Sequence, residues 1–217
     1  MDADLARLAE AIAALQGAGA DLLHVDIMDG HYVPSFVGGR RVVAAIKREA
    51  DIPVDVHLMV TNPDRAIDWF IDSGADTLLF HPEVAEDARG TIARIHDAGR
   101  RAGLALNPSM SADVADGLYG MVECVMAMTV VPGRSGQSFM EEGCEKIPEL
   151  RRRCRPDTDI YVDGGIGPET VPTAVRYGAN VLAAASSFFA ADRSFAETAN
   201  ILRSTAERAR QQDRTNQ

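Results

Sequence analysis

Short apolar runs and amphipathic stretches alternate along almost the whole of this chain, and the alternation restricts it to a parallel sheet covered by helices. Strand-like runs fall near 22–27, 53–59, 76–80, 102–106, 122–128, 159–162 and 180–184. Segments of helical period fall between and after them, near 39–49, 63–73, 87–99, 111–118, 140–153, 168–177 and 194–210. A further helix opens the chain over Asp4–Gln16, where Leu5, Leu8, Ala9, Ile12 and Leu15 recur at helical spacing until Gly17-Ala18-Gly19 ends the pattern. Gly74-Ala75-Asp76 and Gly178-Ala179-Asn180 read as helix-to-strand turns, with glycine supplying the left-handed cap. Eight helices against seven strands describe an α/β chain, a (β/α)8 TIM barrel whose first strand is missing or truncated at the N-terminus. Seven strands left open would expose two unpaired edges, which is costly. The expectation is therefore a chain that begins upstream of Met1, or another segment in the first strand's place. Residues 1–210 are expected to form one barrel domain and 211–217 a disordered polar tail.

The 217 residues suffice for one such domain with a substantial core. A net charge of −10 argues against nucleic acid or an anionic membrane as the main partner, while leaving room for a local basic pocket. No signal peptide precedes Asp2 and no apolar run approaches the roughly 18 residues of a membrane span. Cys124, Cys144 and Cys154 are odd in number and lack metal-type spacing, as expected of reduced thiols in a cytoplasmic protein. Of the 22 basic residues only Lys47 and Lys146 are lysines, both in amphipathic segments, which disfavours imine chemistry.

Polar groups stand late in three of the apolar strands. In His24-Val25-Asp26-Ile27-Met28-Asp29-Gly30 the alternation of strand side chains puts His24 and Asp26 on one face. Asp55-Val56-His57-Leu58-Met59 repeats the arrangement, and Tyr161-Val162-Asp163-Gly164-Gly165 ends a strand in an acid and two glycines. Alone, His24 and Asp26 read as a buried hydrogen-bonded pair; with His57 and Asp163 similarly placed, a shared site explains all four. Asp55 either orients His57 from behind or sits at the base of its strand. His81 is expected at the mouth of the site, His96 in solvent, and Arg151-Arg152-Arg153 as exposed charges at a helix end.

With these motifs in order, the chain resembles the ribulose-phosphate 3-epimerases and their relatives, the ketohexose-6-phosphate (allulose-6-phosphate) 3-epimerases. The resemblance runs from Ala3 to about Phe195. It rests on His24 to Pro34, Asp55 to Val60, Leu106-Asn107-Pro108, Met128-Thr129-Val130, Pro132-Gly133 with Gly136-Gln137, and Val162 to Ile166. It implies a (β/α)8 barrel that inverts the carbon beside the ketone of a ketose phosphate, most directly D-ribulose 5-phosphate to D-xylulose 5-phosphate. By the same resemblance Asp26 and Asp163 are the acid/base groups, and His24, Asp26, His57 and Asp163 hold one divalent metal ion (Zn, Fe, Mn or Co). Met28, Met59 and Met128 would form an apolar lid over the reacting carbons. Gly133, Gly136, Gln137, Gly164, Gly165, Ser186 and Ser187 would form the substrate and phosphate end. The implied partner is a small-molecule ketose phosphate, with no nucleic acid and no membrane, in a homo-oligomer.

Several positions depart from that pattern: Asp2 falls where the family has a serine, Ser35 and Val131 where it has asparagines, Arg134 and Ser135 where it has an aromatic and a glycine, and Ala185 where it has a glycine. The departures cluster at the phosphate end. A metal-dependent hydrolase and a catalytically weak sugar-phosphate binder are the competing readings. Barrel decarboxylases are disfavoured because Met28 stands where they place a lysine.

Overall fold

The computed structural model describes residues 2–189 and 192–215. After a 3-10 turn at Leu5–Arg7, helix α1 (Leu8–Gly17) leads into strand β1 (Leu23–Asp29), a two-residue strand β2 (Phe36–Val37) and α2 (Arg40–Glu49). The chain then alternates through β3 (Val54–Met59), α3 (Pro63–Ile71), β4 (Thr77–Phe80), α4 (Ala88–Asp97), β5 (Arg101–Leu106) and β6 (Cys124–Met128). It ends with α5 (Ile147–Arg153), β7 (Asp159–Asp163), α6 (Val171–Tyr177), β8 (Val181–Ala183), α7 (Ser186–Phe189) and α8 (Phe195–Thr215). Helix starts follow local chemistry: the Asn62 side chain accepts the Arg65 N–H ahead of Pro63, and Asp87 accepts the Gly90 N–H.

The strands form one sheet in the order β2-β1-β3-β4-β5-β6-β7-β8, parallel throughout except for β2, which pairs antiparallel with β1 at Met28–Val37 and Asp29–Phe36. The seven parallel strands are those marked by the apolar runs. Their outward residues, including Val56, Leu58, Leu78, Leu104, Val125 and Val162, join the helices in the larger core. Leu79, Ala105, Cys124, Met126, Met128 and Tyr161 point inward and pack in the barrel interior.

Gly103 marks how tight that interior is: a Cβ there would lie 2.5 Å from Cys124 Sγ and 2.8 Å from Leu79 Cγ. Gly103→Ala is therefore expected to destabilise the protein by roughly 1–3 kcal/mol, the usual cost of overpacking, read as a lower denaturant midpoint at unchanged slope.

The sheet does not close. Among the described residues β8 bonds only to β7, and β1 carries on its outer side only the two pairs with β2. The helical layer does close, because α8 packs on both α6 and α1. Between the two lies an apolar cavity of about 650 Å³, bordered by Leu8, Ile12, Val25, Val181, Leu182 and Phe188. This seam lies where the missing first strand is expected, and among the described residues only the two-residue β2 stands on that edge of β1.

Some boundaries differ from the sequence pattern. The 111–118 segment is not an α-helix but a 3-10 turn at Ala112–Ala115, begun by the Ser111 hydroxyl accepting the Asp113 N–H. Helix α5 starts at Ile147 rather than near 140, with Pro148 in its first turn. Ahead of it, Gly143 comes so close to β6 that a Cβ would meet Met128 O at 2.3 Å. Helix α8 continues to Thr215, past the end of the pattern at Arg210; Gln217 and the rest of the expected tail beyond 215 lie outside the described residues, as does Met1.

Candidate metal centre and active site

The site stands at the C-terminal ends of β1, β3 and β7. In β1 the inward residues are His24, Asp26 and Met28, and in β3 Asp55, His57 and Met59. The register sets Asp26 beside His57 and Met28 beside Met59. On the opposite side of the opening, β7 delivers Asp163, level with Met128 of β6. One ligand atom from each of His24, Asp26, His57 and Asp163 can be chosen so that all four lie within 4.8 Å of one another. His57 Nδ1 is 3.4 Å from Asp26 Oδ1 and 3.9 Å from Asp163 Oδ2, and His24 Nε2 is 3.7 Å from Asp26 Oδ1.

These residues suit a divalent cation. Ligands bonded at ~2.1 Å with angles between octahedral and tetrahedral sit roughly 3–3.5 Å apart, which the shorter of these separations approach and the longer exceed. Both ring nitrogens of His24 and Nδ1 of His57 are buried without a hydrogen-bond partner among the described residues. Leaving such atoms unsatisfied costs on the order of 1–3 kcal/mol each, which a bound ion would offset. Two imidazoles with two carboxylates match the borderline ions Zn²⁺, Fe²⁺, Mn²⁺ and Co²⁺.

The two carboxylates titrate in opposite directions. Burial and the charge of Asp26 together hold Asp163 above the usual carboxylate range. Burial also pushes Asp26 upward, but the approach of His57 Nδ1 and the charges of His24 and His57 outweigh it and hold Asp26 low. Without a cation, the pair therefore keeps one proton, on the Asp163 side.

Over the carboxylates lies a cleft of about 60 Å³, open on one side, lined by Asp26, Asp163, Met28, Met59 and Met128. At ~10–15 Å³ per water it has room for roughly four to six ordered waters. Gly133, Gly136 and Gln137 line the same cleft, as do Gly164, Gly165 and Ser186. Gly164 and Gly165 have φ of +115° and +65°, and a Cβ on Gly165 would come 2.7 Å from the Phe139 backbone nitrogen, so the β7 turn needs glycine on both counts. Gln137 is held by its own loop, donating from Nε2 to Val131 O (2.6 Å) and Arg134 O (2.9 Å). Ser187 does not line the cleft; its hydroxyl donates to Ile166 O at 2.5 Å. Asp2 and Arg134 line it too, and Asp2 accepts a 2.7 Å hydrogen bond from Ser135. Neither lysine does: Lys47 pairs with Asp76, and Lys146 donates to Pro108 O.

Other side chains fall elsewhere than the sequence suggested. His81 is not at the mouth. It is fully buried behind His57, with the two Nε2 atoms 3.0 Å apart, and burial pushes its pKa down to about 4. Asp55, also buried, accepts the Tyr161 hydroxyl at 2.8 Å on the interior side of the sheet. His96, by contrast, is exposed as expected, 3.0 Å from Glu123. Arg151 braces the turn before β8 through Gly178 O, and Arg153 pairs with Asp113 and Asp116. Asp29 and Glu83 were not singled out by the sequence. Asp29 accepts the backbone N–H groups of His31, Tyr32 and Thr61, fixing the loop beside the cleft. The only sequence signal for it was an aspartate followed by glycine at a strand end.

Comparison with known proteins agrees with this geometry. The ribulose-phosphate 3 epimerase family model matches residues 1–189. The chain is 39% identical over 193 residues to the ribulose-phosphate 3-epimerase of Bacillus subtilis, covering 87% of this chain and 89% of that one. It is 40% identical over 179 residues to the enzyme of the same name from Rhodospirillum rubrum, covering 81% and 78%. Among solved structures, a 3-hexulose-6-phosphate synthase superposes with a TM-score of 0.66 at 20% identity, covering 91% of this chain and 94% of that one, a likeness of fold alone.

Proposed function

The chain belongs to the ribulose-phosphate 3-epimerase family, a family of carbohydrate isomerases, and from that premise we propose that it is a divalent-metal-dependent 3-epimerase of a ketose phosphate. The favoured reaction is the interconversion of D-ribulose 5-phosphate and D-xylulose 5-phosphate. The observation that carries this reading is the convergence of two carboxylates, one from β1 and one from β7, with His24 and His57 beneath a single cleft.

Inverting a carbon beside a ketone requires removal of its proton on one face and delivery of a proton on the other, through an enediolate. Asp26 and Asp163, which reach the cleft from β1 and β7, are the two groups set up to accept a proton on one face of that carbon and deliver one on the other. Because the reaction runs both ways, the roles exchange with direction. His24, Asp26, His57 and Asp163 would hold the ion, which when bound supplies Lewis acidity toward the substrate's oxygens. Met28, Met59 and Met128, each no more than 4% exposed, form an apolar wall that keeps water from the reacting carbons. The phosphate would lie toward the turns at 133–137 and 164–165 and Ser186, where backbone approaches the cleft closely.

The test is proton exchange. With D-ribulose 5-phosphate in D₂O and added Zn²⁺, Mn²⁺, Fe²⁺ or Co²⁺, an epimerase washes deuterium into C3. A ketohexose 6-phosphate as the better substrate would move the assignment to the allulose-6-phosphate type, and binding without exchange would reduce it to a sugar-phosphate binder. Arg134 is exposed on the loop lining the cleft, and we assign it to meet the phosphate. Arg134→Ala is expected to raise KM for the ketose phosphate about 10-fold with little change in kcat, the scale of one charge-assisted contact; an unchanged KM would remove Arg134 from the site.

A further inference from the structure

The structure places a buried relay behind the metal-facing side of His57, running His57–His81–Glu83, and we propose that His81 and Glu83 are positioning residues that set the tautomer of His57 and strengthen its grip on a divalent ion. The inference rests on the reading of His57 as a metal ligand and extends it to residues outside the cluster.

His57 turns Nδ1 toward Asp26 and Asp163, so that nitrogen must present its lone pair if it is to bind a cation. The ring proton then sits on Nε2, which lies 3.0 Å from Nε2 of His81. A proton between two nitrogens needs an acceptor, so His81 receives it at Nε2 and carries its own proton on Nδ1. That Nδ1 lies 3.5 Å from Glu83 Oε1, within ion-pair reach but outside hydrogen-bond geometry. Glu83 is in turn fixed: Oε1 accepts the Tyr32 hydroxyl at 2.7 Å and Asn107 Nδ2 at 3.0 Å. Asn107 also donates to the Tyr32 oxygen at 2.7 Å, and the Tyr32 ring packs on His81 with centroids 4.7 Å apart. Every donor along the line thus points one way, from His57 to the Glu83 carboxylate. A carboxylate behind a ligating imidazole raises its basicity and fixes its orientation. Here a second imidazole carries that influence one ring further, because Glu83 stands on the turn after β4 while His57 stands on β3. His57 and His81 are both fully buried, so water cannot take the acceptor's place.

The test uses the whole chain stripped of metal and titrated with Zn²⁺ against a chromophoric chelator, with Co²⁺ absorption as a second readout. His81→Leu, which cannot accept the proton, is expected to weaken Zn²⁺ binding 10- to 100-fold and to shift the Co²⁺ bands. His81→Gln, whose amide oxygen can occupy the place of Nε2, is expected to recover most of that loss. A role in packing alone would favour leucine over glutamine, so the opposite order overturns the relay, as does Zn²⁺ affinity within twofold of wild type in His81→Leu. If His81→Leu does not fold, Glu83→Gln decides: it keeps shape and removes the charge, and weaker Zn²⁺ binding supports the relay while unchanged binding overturns it. Failure of the unaltered chain to bind Zn²⁺ or Co²⁺ would instead overturn the metal-centre reading itself.

Discussion

Asp163→Asn and Asp26→Asn are each expected to lower the rate of C3 inversion by 10³-fold or more while leaving far-UV circular dichroism and the denaturation midpoint near wild type. Asparagine keeps the shape of the side chain and removes its capacity to exchange a proton. General acid–base catalysis contributes roughly 10²–10⁴-fold for one such group. Each carboxylate is also a candidate ligand, so the loss should exceed that of proton transfer alone. The fold should survive because neither residue packs in the core: both stand at the floor of the cleft, on strands anchored by Val25, Ile27, Ile160 and Val162 on the opposite face. Asp55→Asn is the control. Its carboxylate accepts the buried Tyr161 hydroxyl rather than facing the cleft, and the asparagine amide oxygen can still accept it, so exchange should stay near wild type with stability changed by no more than about 1 kcal/mol. A wild-type exchange rate in either Asp26→Asn or Asp163→Asn would contradict the two-carboxylate mechanism.

What could be read from the sequence was local or periodic. The strand–helix alternation gives the parallel sheet because each parallel connection needs a crossover. Period-two alternation puts His24 with Asp26 and Asp55 with His57, and the count of helices against strands gives the missing strand between β1 and β8, though not that its place stays open. The strand β2 was not legible, since two residues carry no period. Nor was the burial of His81. It follows Phe80 as one more inward step of β4, but the sequence cannot say that this step ends against His57, 24 positions earlier. The Asp55–Tyr161 and Tyr32–Glu83–Asn107 contacts join residues 24 to 106 positions apart, and no local pattern encodes them. Arg151 and Arg153 looked like solvated helix-end charges because their partners, Gly178 O and the 113–116 turn, are brought to them only by the packing of neighbouring βα units.

Removing divalent metal with a chelator is expected to suppress C3 exchange by at least 10³-fold, and the affinity for the returning ion should fall steeply in acid. The first effect follows from the scale of Lewis-acid stabilisation, several kcal/mol, where 4 kcal/mol is about three powers of ten. The second follows from the proton held by the carboxylate pair. Burial and the charge of Asp26 push Asp163 up to about 7, and a cation can use that carboxylate only once its proton has left. Above the raised value no proton competes and affinity should be nearly level. Below it, the Asp163 proton alone should cost about tenfold in affinity per unit of pH, and protons taken up by the ligand histidines add to that slope in both the unaltered chain and the variant. Asp163→Asn carries no such proton, so its Zn²⁺ affinity should be weaker at pH 8 and lose less between pH 7 and pH 5.5. Competition titrations of Zn²⁺ over that range, on the unaltered chain and on Asp163→Asn, read both slopes. Parallel slopes would mean that the competing proton resides elsewhere, and with it the assignment of Asp163 as the protonated partner would fall.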